Sequence, residues 1–359
     1  MSAGGRGARR DDALRRAPAP ARTKTIVRLV LSAGLAVVLV WALVCFTKLD
    51  LDLLLDRSIR PGFLLTAACS YLFVALTRAL RFRALHHEIP QSDMRGWFQV
   101  AVIHAALNQI LPLRTGEASY VYLMRRAHGC TVGRSLLVLL VSRLFDLLIV
   151  FIYCLAFLPL VSGSLGVPPG LAAGACLGVI GAAILMLAGL RPAVFFAYGL
   201  VKRRWPAAAH PVSGSRGRLR ERLARLVAEA EMFRDTRHFI AVFSISGAMW
   251  TGLFVTFFGL LNGFGFAISL PGTVVGSIGA VLAGVLPVNA LAGIGTQEAG
   301  WTLGLMLLGF DRSEALAAGI WSHAGLLALS FLLGLVGYLW LTRTSPSPKS
   351  RLPRNHMGT

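Results

Sequence analysis

The residues able to do chemistry in this chain sit where an ordinary membrane helix has none. Asn108-Gln-Ile-Leu-Pro-Leu-Arg-Thr-Gly-Glu117 closes an apolar run with a proline, a guanidinium, a glycine and a carboxylate. Pro112 removes a backbone donor and Gly116 frees the chain to turn, so a helix ends here. Arg114 and Glu117 then fall at or near membrane depth, where ionisable groups are costly and face a bundle interior or a wet cavity. A second version follows later, as Leu286-Pro287, the turn Gly293-Ile-Gly295, and Gln297-Glu298. Between the two, Arg143 and Asp146 stand three apart, on one helix face. A guanidinium fork matches phosphate oxygens, and carboxylates balance it when no anion is bound. The same four groups, Arg114, Glu117, Arg143 and Asp146, equally suit pairing among themselves inside a bundle. Glu298 has no basic residue within a helical turn, which makes it the first candidate for carrying a proton. Asn108, Asn289, Gln297 and His323 remain to line a path, and His104, flanked by apolar residues, suits packing as well.

The elements that position these residues are membrane helices. Hydrophobic residues make up 55% of the 359 and charged residues only 14%, which excludes a soluble domain. No stretch alternates as a membrane β-barrel requires. The net charge of +20 invites a nucleic-acid reading, but the arginines cluster at span flanks, where membrane topology explains them. No nucleic-acid partner is expected. The five cysteines show no paired spacing, so neither a disulfide framework nor a metal site is suggested. His86-His87-Glu88 reads as a solvated cluster in a basic loop.

The fold class expected is an all-α polytopic membrane protein with about six full spans and two broken re-entrant hairpins. Residues 1–25 form a disordered basic cytoplasmic tail, 26–341 the transmembrane domain, and 342–359 a cytoplasmic tail. The spans are placed at 26–46, 62–80, 135–160, 171–190, 239–261 and 315–341. The hairpins run 96–124 and 271–309; the arm 96–111 is marginal for a crossing, its second arm 117–124 is short, and the later arm 296–309 is too short to cross. Arginines beyond residue 80 and in the basic segment 191–237 place those flanks, and both termini, on the cytoplasmic side of the cell membrane. Within that segment Leu219, Leu223, Leu226, Ala230 and Phe233 recur at helical spacing, as on a surface helix.

The halves 62–160 and 239–341 can be laid on each other. Gly116-Glu117 falls on the Gly295–Glu298 region, Gly129 on Gly309, and Ser142-Arg143 on Ser322-His323. The charge rule gives the halves opposite orientation. Inverted repeats with helix breaks at corresponding positions are a transporter layout, with the site where the breaks meet.

At these residues the chain resembles the transmembrane region of lysylphosphatidylglycerol synthases, a flippase-like family, from about Phe63 to Leu341. The family's first pattern stands here as Asn108, Leu111-Pro112, Arg114, Gly116-Glu117, Arg143 and Asp146, the second as Pro287, Gly293, Gly295 and Glu298. One departure is Tyr120, where the family often has an arginine that contacts an anion. The lysyl-transferring members carry a soluble catalytic domain after the membrane part, whereas this sequence runs only to Thr359. The resemblance therefore implies a stand-alone member that moves lipid between leaflets without aminoacylating it. Its substrate is expected to be an anionic phospholipid or a polyprenyl-phosphate-type lipid. Asn108, Arg114, Glu117, Arg143, Asp146, Gln297, Glu298 and His323 are expected at the site. The alternative is a non-catalytic partner or regulator of a separate lipid-modifying enzyme. With no nucleophile or metal constellation, neither enzymatic activity nor a cofactor is expected.

Overall fold

The computed structural model describes residues 58–86, 89, 93–111, 115–204, 236–285 and 291–344, with positions 34, 37, 38 and 40–45. The tail 1–25, most of the first expected span, Pro112, Arg114, Pro287, Asn289, positions 205–235 and the end beyond 344 lie outside the described residues. The described positions between 34 and 45 are helical.

The chain is an all-α polytopic membrane protein, and its described residues contain no strand. Ten α-helices follow from 61 onward among the described residues. They are α1 (Pro61–Leu85), α2 (Met94–Ile110), α3 (Gly116–His128), α4 (Val132–Val161), α5 (Pro169–Arg204), α6 (Thr236–Gly263), α7 (Leu270–Gly276), α8 (Ile278–Val285), α9 (Thr296–Met306) and α10 (Arg312–Thr344). Five of these, α1, α4, α5, α6 and α10, are long and apolar enough to cross a membrane. Local chemistry sets the ends. Pro61 starts α1 where its missing N–H costs nothing. Asp93, Thr131 and Ser269 cap α2, α4 and α7, each side chain accepting a backbone N–H two or three residues on. Gly129 closes α3 in the left-handed conformation.

Two elements differ from expectation. Helix α1 continues to Leu85, past Arg78 and Arg81, so these arginines belong to a helix wall and not to a solvated flank. His86 ends it buried, with Nδ1 2.9 Å from the Phe82 carbonyl, so it is no solvated loop residue. The arm expected as one piece from 271 is interrupted at Ser277, between α7 and α8.

Both hairpins close by backbone-to-backbone contact. A Cβ on Gly116 would overlap the Asn108 backbone, so the start of α3 lies directly on the end of α2. In the second hairpin Gly279 and Gly300 face each other, and Gly304 faces the Gly276 carbonyl, with no space for a methyl group. Small residues allow this approach in a membrane, where helix association depends on close packing.

The halves interlock. The first spans of the two halves, α1 and α6, pack along each other, while α10 lies on α2 and α4 on α7. The last span of each half therefore meets the opposite half's hairpin. One apolar core surrounds the first hairpin, with Trp97, Tyr120, Phe82 and Met124 buried. A second surrounds the other, with Trp301, Phe254, Phe257 and Leu305.

Candidate functional site

Residues from both cores enclose a cavity of about 160 Å³ between α1, α2, α4, α6 and α10. Tyr71, Arg78 and Arg81 enter it from α1, His104 and Asn108 from α2, Ser142, Arg143 and Asp146 from α4, and Trp250 from α6. Asp146 is the hub. Its Oδ1 pairs with Arg81 Nη1 at 2.5 Å and accepts the Trp250 indole N–H at 2.8 Å. Arg81 is only 4% exposed, so this is a buried ion pair. Removing one partner of such a pair costs about 3–5 kcal/mol.

Arg143 turns the other way. Its Nη2 lies 3.3 Å from Glu117 Oε1 at the start of α3, whereas its approach to Asp146 Oδ2 is 3.9 Å. The neighbour three residues along the helix is thus the weaker partner, and the contact across to the hairpin the closer one. Arg78 is within ion-pair distance of no carboxylate among the described residues and lies beside Tyr71. Three guanidinium groups, Arg78, Arg81 and Arg143, therefore face two carboxylates, Asp146 and Glu117, in a space bordered by hydrocarbon. Among the described residues this leaves one cation in excess, which favours an anion.

Of the residues expected at the site, Asn108, Glu117, Arg143 and Asp146 come together here. Arg78, Arg81, Tyr71 and Trp250 join them from outside the two motifs. The available signal was Arg81 lying one helical turn beyond Arg78 on a helix that continues past both. Tyr120 fills its place by packing, fully buried against Phe82 and His104. His104 faces Ser119 at 3.2 Å, tying α2 to α3.

Gln297, Glu298 and His323 gather separately, at the second hairpin. The turn Leu291–Gly293 and its continuation hold Ala292 at φ 53°, Gly293 at 70° and Gly295 at 84°. That path aims the Gly295 N–H at Glu298 Oε2, 2.6 Å away, and His323 Nδ1 meets Oε1 at 2.7 Å. Gln297 lies between Gly284 and Gly293, in space that side chains there would fill. The correspondence of the halves is repeated in contacts: Glu117 meets Arg143 in one, and Glu298 meets His323 in the other. Ser142 and Ser322, the residues just before Arg143 and His323, are both buried with an unpartnered Oγ.

A helical bundle that crosses the bilayer several times around a charged, partly enclosed cavity defines a multi-pass integral membrane protein. The chain belongs to the family of the lysylphosphatidylglycerol synthase transmembrane region, whose model matches residues 25–347. It is thus an integral membrane protein of a family of lipid metabolism. No curated protein and no solved structure matches it.

Proposed function

We propose that this protein moves a phosphate-bearing lipid between leaflets, with the head group passing through the arginine cavity and the hydrocarbon chains remaining in the bilayer. The observation that carries the reading is the charge of the cavity: among the described residues, three arginines against two carboxylates, beside the first broken hairpin. Guanidinium forks bind phosphate oxygens in pairs. Before the lipid arrives, Asp146 and Glu117 hold Arg81 and Arg143 in position. A phosphate then completes Arg78 and competes with Glu117 for Arg143.

The equivalent contacts in the halves support an inverted repeat, in which the hairpins enter from opposite leaflets. The contact between α2 and the turn Leu291–Gly293 brings the second break close to the first hairpin. In this arrangement both termini are cytoplasmic.

The test is movement of a head-group-labelled anionic phospholipid in reconstituted vesicles, comparing Arg143→Ala with Arg143→Lys. Lysine keeps the charge but loses the fork. Both variants are expected to insert and to move lipid at least tenfold slower than wild type. Full activity in Arg143→Lys would overturn phosphate recognition by Arg143.

A further inference from the structure

The two halves hold equivalent pairs of unequal chemistry. In the first, Glu117 meets Arg143, whose charge is permanent. In the second, Glu298 meets His323, and an imidazole gains and loses its charge in the physiological range. The second pair is also the more enclosed, with Glu298 8% and His323 3% exposed. Both carboxylate oxygens are engaged, by the Gly295 N–H and by His323 Nδ1. Because a carboxylate only accepts, the ring donates from Nδ1, which leaves Nε2 as an acceptor. That atom is buried and has no hydrogen-bond partner among the described residues.

Among the described residues no permanent cation stands beside the pair, and Arg114 lies outside them. Helices α8 and α9 and the turn 291–295 contain no charged residue other than Glu298, and residues 286–290 contain none in sequence. The described N-terminal helical positions contribute only the Cys45 thiol. On α10 the closest ionisable neighbour is Glu314, more than two turns earlier. Helix α2 carries Arg95 near its start and His104 at the arginine cavity, α1 presents Arg78 and Arg81 to that same cavity, and α6 has Arg237 and His238 in its first turn. Beside the pair lies a pocket of about 340 Å³, walled by Val40, Leu43, Val44, Leu316, Ile320 and Leu327. Hydrocarbon on that side strengthens every charge interaction. Helix α10 is a wall shared by both sites, since Leu326 lines the arginine cavity while His323 and Leu327 line this pocket.

We propose that Glu298 and His323 together bind a proton that drives lipid movement, an inference that rests on the lipid-moving reading above. The proton adds to the Nε2 lone pair, while Nδ1–H stays on Oε1, giving an imidazolium–carboxylate pair. With the proton bound, the second half reproduces the permanent ion pair of the first. Loss of the same proton from Nε2 to the opposite aqueous side removes that likeness. The halves are thus alike in one state and unlike in the other, and α10 transmits the difference to the arginine cavity. A hard metal cation does not suit the site, because it wants a shell of oxygens and here both carboxylate oxygens are already engaged beside an imidazole.

The experiment uses vesicles containing the purified protein and head-group-labelled phosphatidylglycerol, with and without an imposed pH gradient. Wild type is expected to enrich the lipid in one leaflet, by up to about tenfold per pH unit if one proton moves per lipid. In Glu298→Gln and His323→Gln the ratio of movement with and without the gradient is expected to fall to about one. A gradient response retained in either variant, or absent from a wild type that moves lipid, overturns the proton site. Infrared pH-difference spectra of the purified protein judge the site without any lipid movement. Wild type and Arg143→Gln are expected to show the imidazole-to-imidazolium signal of one ring that His323→Gln lacks. A His323→Gln spectrum that matches wild type overturns the proposal, even if vesicles containing wild type move no lipid and the earlier reading fails.

Discussion

Replacing Asp146 by asparagine separates a structural ion pair from an anion site. Asparagine keeps the shape and one acceptor for Arg81 and Trp250, and removes one negative charge. In a bilayer without anionic lipid this leaves Arg78, Arg81 and Arg143 facing Glu117 alone. Loss of one partner from a buried pair costs about 3–5 kcal/mol. The lower end applies here, because the amide oxygen still accepts a hydrogen bond. The same change raises the balance of these groups from one excess positive charge to two, so an anionic head group binds more tightly. Binding returns stability as RT ln(1 + [L]/Kd), about 2.7 kcal/mol at a hundredfold excess over Kd. The assay is thermal unfolding in nanodiscs of phosphatidylcholine, with and without phosphatidylglycerol. Asp146→Asn is expected to unfold well below wild type in phosphatidylcholine and to recover more than wild type gains when phosphatidylglycerol is added. An equal deficit in both lipids would refute the reasoning and leave Asp146 a purely structural partner of Arg81.

Gly304→Ala places a methyl group on the Gly276 carbonyl and should destabilise the second hairpin by about 1–3 kcal/mol or more, whereas Gly247→Ala, with nothing nearby, should be close to neutral; unfolding temperatures in detergent check both. Cys154 and Cys176 have sulfurs 3.5 Å apart between α4 and α5. With the other cysteines replaced, mild oxidation should link fragments cut in the 162–168 loop, and failure to link them would contradict the α4–α5 register. Ala292→Gly should stabilise the protein by about 1 kcal/mol, because alanine at φ 53° is strained and glycine is not; a lowered unfolding temperature would contradict that conformation.

Much of this was legible in local sequence, because helix breaks and membrane spans are local events. A Gly-Glu pair after a proline marks the start of α3, and Glu298 opens α9 in the same way. Laying the halves on each other set Arg143 beside His323 and Glu117 beside Glu298, and each half brings its own two into contact. What local spacing cannot supply is the partner across the bundle. Arg143 and Asp146 share a helix face, yet Asp146 binds Arg81, 65 residues away, because a long guanidinium side chain reaches its neighbour helix as easily as its own next turn. Arg78 and Arg81 look like flank residues under the charge rule; only the extension of α1 to Leu85 shows that they line a wall. The interruption at Ser277 has no proline to announce it.

The central claim is that a lipid phosphate occupies the arginine cavity, and the direct measurement is a structure of the protein in nanodiscs rich in phosphatidylglycerol. The account predicts a phosphate between Arg78, Arg81 and Arg143, with its acyl chains leading out between the helices into the bilayer. Lipid confined to the outer surface of the bundle, with Arg143 still held by Glu117 and the cavity filled only by water, would contradict it.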